Sequence, residues 1–271
     1  GVLDIRRIWY QARYFAWEGT LEDGTDGDLP NDAGLPAAAR LTLSSTGTGS
    51  STIVDGMLVL DKTDFNVDPS SRYYSKNADF SEDGGAFVEF YLKFAEFSDE
   101  TGAPSALTAV GAGVTLQLGE KELKLGFYDC GTGGKRVGIV PGSGDDTDIL
   151  NLTELGRVFS ASVDWTTEHL YRLELRGREA IRLWVDGGQT PAIEIPWDNE
   201  TDGFDLPASV ATPSVAFGHF ESLTSSKTLW RFFRWGGSNG YDVAVRQLYP
   251  TDPPSYLFGG RAFLLAEFDE A

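Results

Sequence analysis

Apolar residues recur at every second position in run after run of this chain, and glycine- and aspartate-rich turns separate the runs. A period of two sends alternate side chains to opposite faces, so such runs fold as half-buried β-strands. Residues 86–94 are the clearest case: Val88, Phe90, Leu92 and Phe94 share one face, and Phe87, Glu89, Tyr91 and Lys93 share the other. Residues 114–118 and 122–127 follow the same rule. Residues 171–176 and 181–185 read as a hairpin turning at Gly177-Arg178-Glu179. Its apolar face is Tyr171, Leu173, Leu175, Ile181, Leu183 and Val185; its polar face is Arg172, Glu174, Arg176, Arg182 and Trp184. Helical spacing is thin. Ile5, Ile8, Trp9, Ala12 and Ala16 form a stripe within residues 3–17, where the aromatic density equally suits a strand, and residues 151–155 read as one helical turn. The expected class is all-β: two antiparallel sheets packed as a sandwich, with short terminal arms.

The 271 residues suffice for one large β domain. We divide the chain into an N-terminal arm and acidic loop (1–34), a β-sandwich (35–247) and a tail (248–271) that opens on Pro250-Thr251-Asp252-Pro253-Pro254. Prolines so placed cannot continue a central strand. Both ends carry apolar material, Tyr256-Leu257-Phe258 and Ala262-Phe263-Leu264-Leu265 in the tail, which either closes over the sandwich or docks on another chain. The formal net charge of −19 argues against nucleic acid and against anionic lipid surfaces, since both are held by clustered Lys and Arg. A single cysteine, Cys130, forms no internal disulfide. No apolar run approaches the ~18 residues of a membrane span. Residues 2–7 lack the basic-then-apolar layout of a secretion leader.

The hairpin carries a resemblance. His169-Leu170-Tyr171-Arg172-Leu173-Glu174-Leu175, followed by Ile181-Arg182-Leu183-Trp184-Val185-Asp186-Gly187, is similar to the central hairpin of the concanavalin A-like lectin/glucanase superfamily, nearest its laminin-G-like and sialidase-lectin-like members. Upstream, Val54-Asp55-Gly56-Met57-Leu58-Val59-Leu60 resembles the family's early strand, and Arg72-Tyr73-Tyr74 and Gly85-Ala86-Phe87-Val88-Glu89-Phe90 resemble those that follow. Downstream, Ser214-Val215-Ala216-Phe217-Gly218 and Leu229-Trp230-Arg231-Phe232-Phe233-Arg234-Trp235 resemble its closing strands. The resemblance spans about residues 35–247 and implies a jelly-roll sandwich. The superfamily includes sugar-binding modules, hydrolases, lyases and structural domains, so fold alone selects no function.

Catalytic signals are weak. The Glu-x-Asp-x-x-Glu strand of the family's retaining glucanases, which sets two carboxylates on one face, has no match; Glu267-Phe268-Asp269-Glu270 departs from its spacing. Glu89 and Glu174 sit on polar strand faces and read first as solvated or salt-bridged. His169 and His219 lack a second histidine at metal-ligand spacing. Asp23, Asp26 and Asp28 gather hard oxygens in one loop, read either as a calcium site or as a solvated acidic turn; Asp145, Asp146 and Asp148 do the same in a second loop.

Sugar binding needs an aromatic platform beside planar polar groups. Trp184 with Arg182, Arg172 and Glu174 offers this; Tyr91, Glu89, Arg231, Arg234 and Trp235 extend it, and Trp197 supplies a loop contact. Packing beneath the arms is the competing reading of Trp184. The expectation is a non-catalytic, lectin-like carbohydrate-binding protein, extracellular or on a particle surface, whose partner is a glycan or polysaccharide. The alternatives are a structural protein of a surface or virion particle that meets copies of itself or other subunits through its arms, and a polysaccharide hydrolase or lyase.

Overall fold

The computed structural model describes residues 15–18, 29–33, 35, 40–47, 49–62, 71–78, 86–98, 108–119, 122–129, 134–141, 159–175, 180–196, 212–220 and 225–237. These form fifteen strands in two antiparallel sheets, and the described residues contain no helix. The first sheet runs β13 (Ile193–Pro196), β12 (Ala180–Val185), β11 (His169–Leu175), β6 (Ala86–Ser98), β15 (Ser225–Gly237), β4 (Met57–Lys62), β3 (Ser50–Val54). Where β4 leaves β15, β1 (Phe15–Glu18) pairs with residues 232–235 of that strand. The second sheet runs β10 (Phe159–Ser162), β9 (Lys135–Pro141), β8 (Glu122–Asp129), β7 (Thr108–Gln117), β14 (Ser214–His219), β5 (Arg72–Asn77), β2 (Thr42–Ser45). From β4 to β7 the chain alternates between sheets, and it does so again from β13 to β15. The expected two-sheet jelly-roll sandwich is the fold.

Alternation decides which side chains fill the space between sheets. Val88, Phe90, Leu92 and Phe94 of β6, Tyr171, Leu173 and Leu175 of β11, and Ile181 and Leu183 of β12 point inward from the first sheet. Val114, Leu116, Leu123, Leu125, Phe127, Val137, Ile139, Val215 and Phe217 meet them from the second. Aromatic rings join the layers: Phe217 stacks on Phe233 at 4.2 Å, and Phe94 packs on Trp165 at 4.8 Å. The Trp165 indole donates to the Tyr128 carbonyl at 3.1 Å, which satisfies its one polar atom.

Two Asp-Gly pairs turn the chain as their sequence suggests. Asp55 and Gly56 take φ of 52° and 70°, and Asp186 and Gly187 take 53° and 65°. Two successive positive φ angles make the tight turn whose twist matches antiparallel strands, and Asp and Gly tolerate them best.

Residues 15–17 end the stretch whose sequence left helix and strand open, and with Glu18 they form a strand. The remainder of that stretch, the reading of residues 151–155 and the tail lie outside the described residues, as does Cys130.

Gly218 of β14 gives a test of the sheet. Its φ is 133°, and a Cβ there would stand 2.6 Å from the Arg72 carbonyl oxygen and 2.7 Å from the Tyr73 Cα on β5. Backbone is not free to yield to it. Gly218→Ala is expected to destabilise the protein by about 3 kcal/mol, through steric overlap and an unfavourable φ together. Urea denaturation checks this, and a loss below about 1 kcal/mol contradicts the close β14–β5 approach.

Candidate functional site

Eight of the ten residues read from the sequence as sugar contacts lie on strands of the first sheet and share its outer face, and Trp235 faces the core. The tenth, Trp197, lies outside the described residues. Register makes the grouping. Arg172 stands opposite Trp184 on one side and Glu89 on the other, and Glu89 stands opposite Arg234. One row across four strands therefore reads Trp184, Arg172, Glu89, Arg234. The adjacent row places Glu194, Arg182, Glu174 and Phe87 side by side.

The row is an ion-pair chain. Arg172 Nε donates to Glu174 Oε1 at 2.6 Å, and its Nη1 donates to Glu89 Oε2 at 3.0 Å. Arg234 Nη1 donates to the other oxygen of Glu89 at 3.1 Å. The Arg172 guanidinium lies 5.2 Å from the Phe87 ring centre, and that of Arg234 lies 4.1 Å from Phe232. Farther out, Arg182 holds Glu194 through Nε and Nη2 at 2.9 and 2.8 Å.

Of the two readings of Glu89 and Glu174, solvated or salt-bridged, the structure shows the second. Glu174 is 3 % exposed, Arg172 6 %, Trp184 7 % and Glu89 9 %. Charges removed from water persist only when paired, and in-register Arg–Glu neighbours supply the pairs. The centre of the face is closed, so Trp184 offers no open platform. Its indole Nε1 is buried without a hydrogen-bond partner, an arrangement that costs about 1–3 kcal/mol.

The margin of the face is open. β6 and β15 slip register between Trp230 and Phe233: Trp230 pairs with Leu92 and Phe233 with Phe90. Arg231 and Phe232 therefore both stand opposite Tyr91, in a β-bulge. Bulges re-aim side chains and are frequent beside functional sites. Here the bulge sets Arg231 with its guanidinium 6.0 Å from the Tyr91 ring centre, while Phe232 meets that ring edge-on at 5.1 Å. Glu168, just ahead of β11, accepts from Arg231 Nε and Nη2 at 2.8 and 3.0 Å. That bond holds the Arg231 guanidinium above its ordinary pKa. The Arg231 side chain remains 45 % exposed.

The bulge also alters the sequence reading of β15. Trp230 and Phe232, two apart, would share a face on a regular strand, yet they face opposite ways: Trp230 lies in the core, and Phe232 is buried on the outer face. Trp235, read as extending the sugar site, is wholly buried in the core. Glu168 and Glu194 were missed. Glu194 had a signal, a lone charge between Ile193 and Ile195 on a strand; Glu168 had none, because it precedes its strand.

His169 opens β11 and pins two turns. Its Nδ1 lies 2.7 Å from Asp186 Oδ2, and its Nε2 lies 2.8 Å from Thr167 Oγ1 and 3.1 Å from the Asp164 carbonyl. Asp164 in turn accepts from the Thr166 hydroxyl at 2.6 Å, which lowers the pKa of its carboxyl. Among the described residues, no three His, Cys, Asp or Glu are placed to hold a metal ion. Asp23, Asp26, Asp28, Asp145, Asp146 and Asp148 lie outside them. No helix among the described residues is long and apolar enough to cross a membrane.

The architecture is a two-sheet antiparallel jelly-roll sandwich. No family model matches the sequence, and no curated protein matches it. Solved structures do. The carbohydrate recognition domain of Emp47p is 11 % identical, covering 78 % of this chain and 93 % of its own with a TM-score of 0.43. SO2946, a protein of unknown function from Shewanella oneidensis MR-1, is 13 % identical, with 83 % and 87 % covered and a TM-score of 0.47. The binding domain of botulinum neurotoxin serotype D is 10 % identical, with 88 % and 52 % covered and a TM-score of 0.47. At these identities and scores the likeness is one of chain course, and what those proteins bind does not transfer to this one.

Proposed function

We propose that this chain is a non-catalytic carbohydrate-binding protein that takes glycans at the open margin of the first sheet's outer face. The observation that carries this reading is the β15 bulge, which sets Tyr91, Arg231 and Glu168 together. An aromatic ring can stack on the C–H face of a sugar, and a guanidinium and carboxylate already locked to each other can bond hydroxyls with little further loss of side-chain freedom. Glu89 and Glu174, the two strand carboxylates weighed from the sequence, both accept from Arg172, which favours a structural role for them.

Arg231→Ala and Tyr91→Ala are each expected to weaken glycan binding by roughly 10–100-fold, the loss of a charge-assisted hydrogen bond or a stacking ring. The exposed Arg231–Glu168 pair contributes only about 0–1 kcal/mol to folding, so Arg231→Ala stays folded. Isothermal titration against glycans chosen from an array measures the loss. An array with no bound glycan, at millimolar calcium, overturns the reading.

A second reading has its own observation. The closed centre, with Trp184 buried, fits a structural protein whose face is covered in the working state. Light scattering that shows a defined oligomer, in a protein that binds no glycan, favours assembly.

A further inference from the structure

Trp184 ends the central row, and its Nε1–H is buried with no acceptor. Buried indole N–H groups ordinarily find one, and a donor left without a partner beside a polar row is a hydrogen bond that an acceptor oxygen completes once the covering side chains part. The row itself limits the chemistry of that oxygen. Glu174, Arg172, Glu89 and Arg234 contribute two charges of each sign, already paired. An anionic ligand would meet two carboxylates, and a cationic one two guanidinium groups. A neutral polyol meets neither difficulty, because a hydroxyl oxygen accepts from the indole while its hydrogen turns to a neighbouring acceptor. Trp184 lies two strands across and one side-chain repeat along from Tyr91, about 12 Å at ordinary sheet spacings, the reach of a short oligosaccharide.

We propose that Trp184 Nε1 is the donor of an inner subsite for a neutral glycan, closed in the unliganded protein and opened when a chain bound at Tyr91 and Arg231 extends inward. This inference rests on the glycan-binding reading above. The orphaned donor gives the closed state a built-in penalty, and the ligand removes it.

The test uses cellotriose, mannotriose, lactose and chitotriose as probes on the full chain, wild type against Trp184→Phe and Arg231→Ala. Phenylalanine keeps an aromatic ring and lacks the N–H. The expected result is that Trp184→Phe unfolds at a denaturant concentration no lower than wild type, yet binds the preferred probe at least tenfold more weakly. In wild type, the Trp184 indole ¹⁵N–¹H cross-peak moves downfield on saturation. If Trp184→Phe binds like wild type, the cross-peak stays fixed and Arg231→Ala still loses binding, the margin binds glycan, Trp184 is packing alone, and the inference is overturned. If wild type binds none of the four probes, the neutral-glycan inference fails, and the array decides the broader reading separately. Should Trp184→Phe not fold, the movement or immobility of the wild-type cross-peak decides.

Discussion

Arg172→Met is expected to lower the unfolding free energy by about 3–5 kcal/mol, the range for removing one partner from a buried ion pair. The reason lies in what remains. Arg172 bonds Glu174 at 2.6 Å and Glu89 at 3.0 Å, and all three side chains are withdrawn from water. Methionine fills much of the arginine stem's volume but takes one charge-assisted hydrogen bond from each of two buried carboxylates. Glu89 keeps Arg234 at 3.1 Å, and the bond lost to Glu174, at 2.6 Å, is the shorter of the two that Arg172 makes. Arg172→Met with Glu174→Leu should therefore recover most of the loss, because an apolar pair avoids the desolvation that the ion pair requires. The pattern of a damaging single and a milder double separates a paired buried charge from simple loss of packing, in which the double would be worse. Urea denaturation of the two variants and wild type measures it. A single variant within about 1 kcal/mol of wild type would mean that the row is solvated, against its observed burial.

The same row shows how far the sequence could be read. Period-two alternation assigned β6, β11 and β12 and gave each residue its face, because facing is a local property of a strand. It therefore grouped Glu89 and Tyr91, Arg172 and Glu174, Arg182 and Trp184 within their strands. Which strands adjoin is set by pairing across the whole chain: Glu89 and Arg172 are 83 residues apart and meet only through the β6–β11 register. A one-residue slip would turn every side chain to the opposite face, and no local pattern fixes that register. Burial of the charged row was illegible for the same reason. A lone Glu on a polar strand face reads as solvated or salt-bridged alike, and only its partner, set by register, makes burial tolerable. The bulge was the third failure. Arg231 and Arg234, three apart, should point to opposite faces of a regular strand, and the inserted residue brings both to one. The margin of the candidate site exists because of that irregularity, which is why alternation named its residues without explaining how they could meet.

Acidification should loosen the sandwich through His219. This residue, on β14 of the second sheet, is wholly buried; its Nδ1 lies 2.9 Å from Ser226 Oγ and its Nε2 3.3 Å from Thr228 Oγ1, both on β15 of the first sheet. Trp230 Nε1 donates to the same Thr228 oxygen at 2.9 Å. Burial, with the nearby Lys62 charge, lowers the histidine pKa from 6.5 to about 3, against the opposing influence of a backbone bond to Leu60 and of Asp61. In the unfolded chain the imidazole takes up a proton below pH 6.5; in the folded one it does not until about pH 3. The stability tied to its neutral form is thus fully present above pH 6.5 and is lost progressively as pH falls towards about 3. The folded-to-unfolded ratio drops by up to about tenfold per pH unit, roughly 5 kcal/mol over the window. Carboxylates titrate in the same range, so the contribution is isolated by difference. His219→Gln keeps an amide that can bond both hydroxyls and has no proton to take up, so its stability should fall less steeply with acid than that of wild type, even if it starts lower at pH 7. Urea midpoints for both proteins across this range give the two slopes. Parallel slopes would mean that His219 is protonated within the folded sandwich and that the hydroxyl-lined seam between β14 and β15 admits a charge.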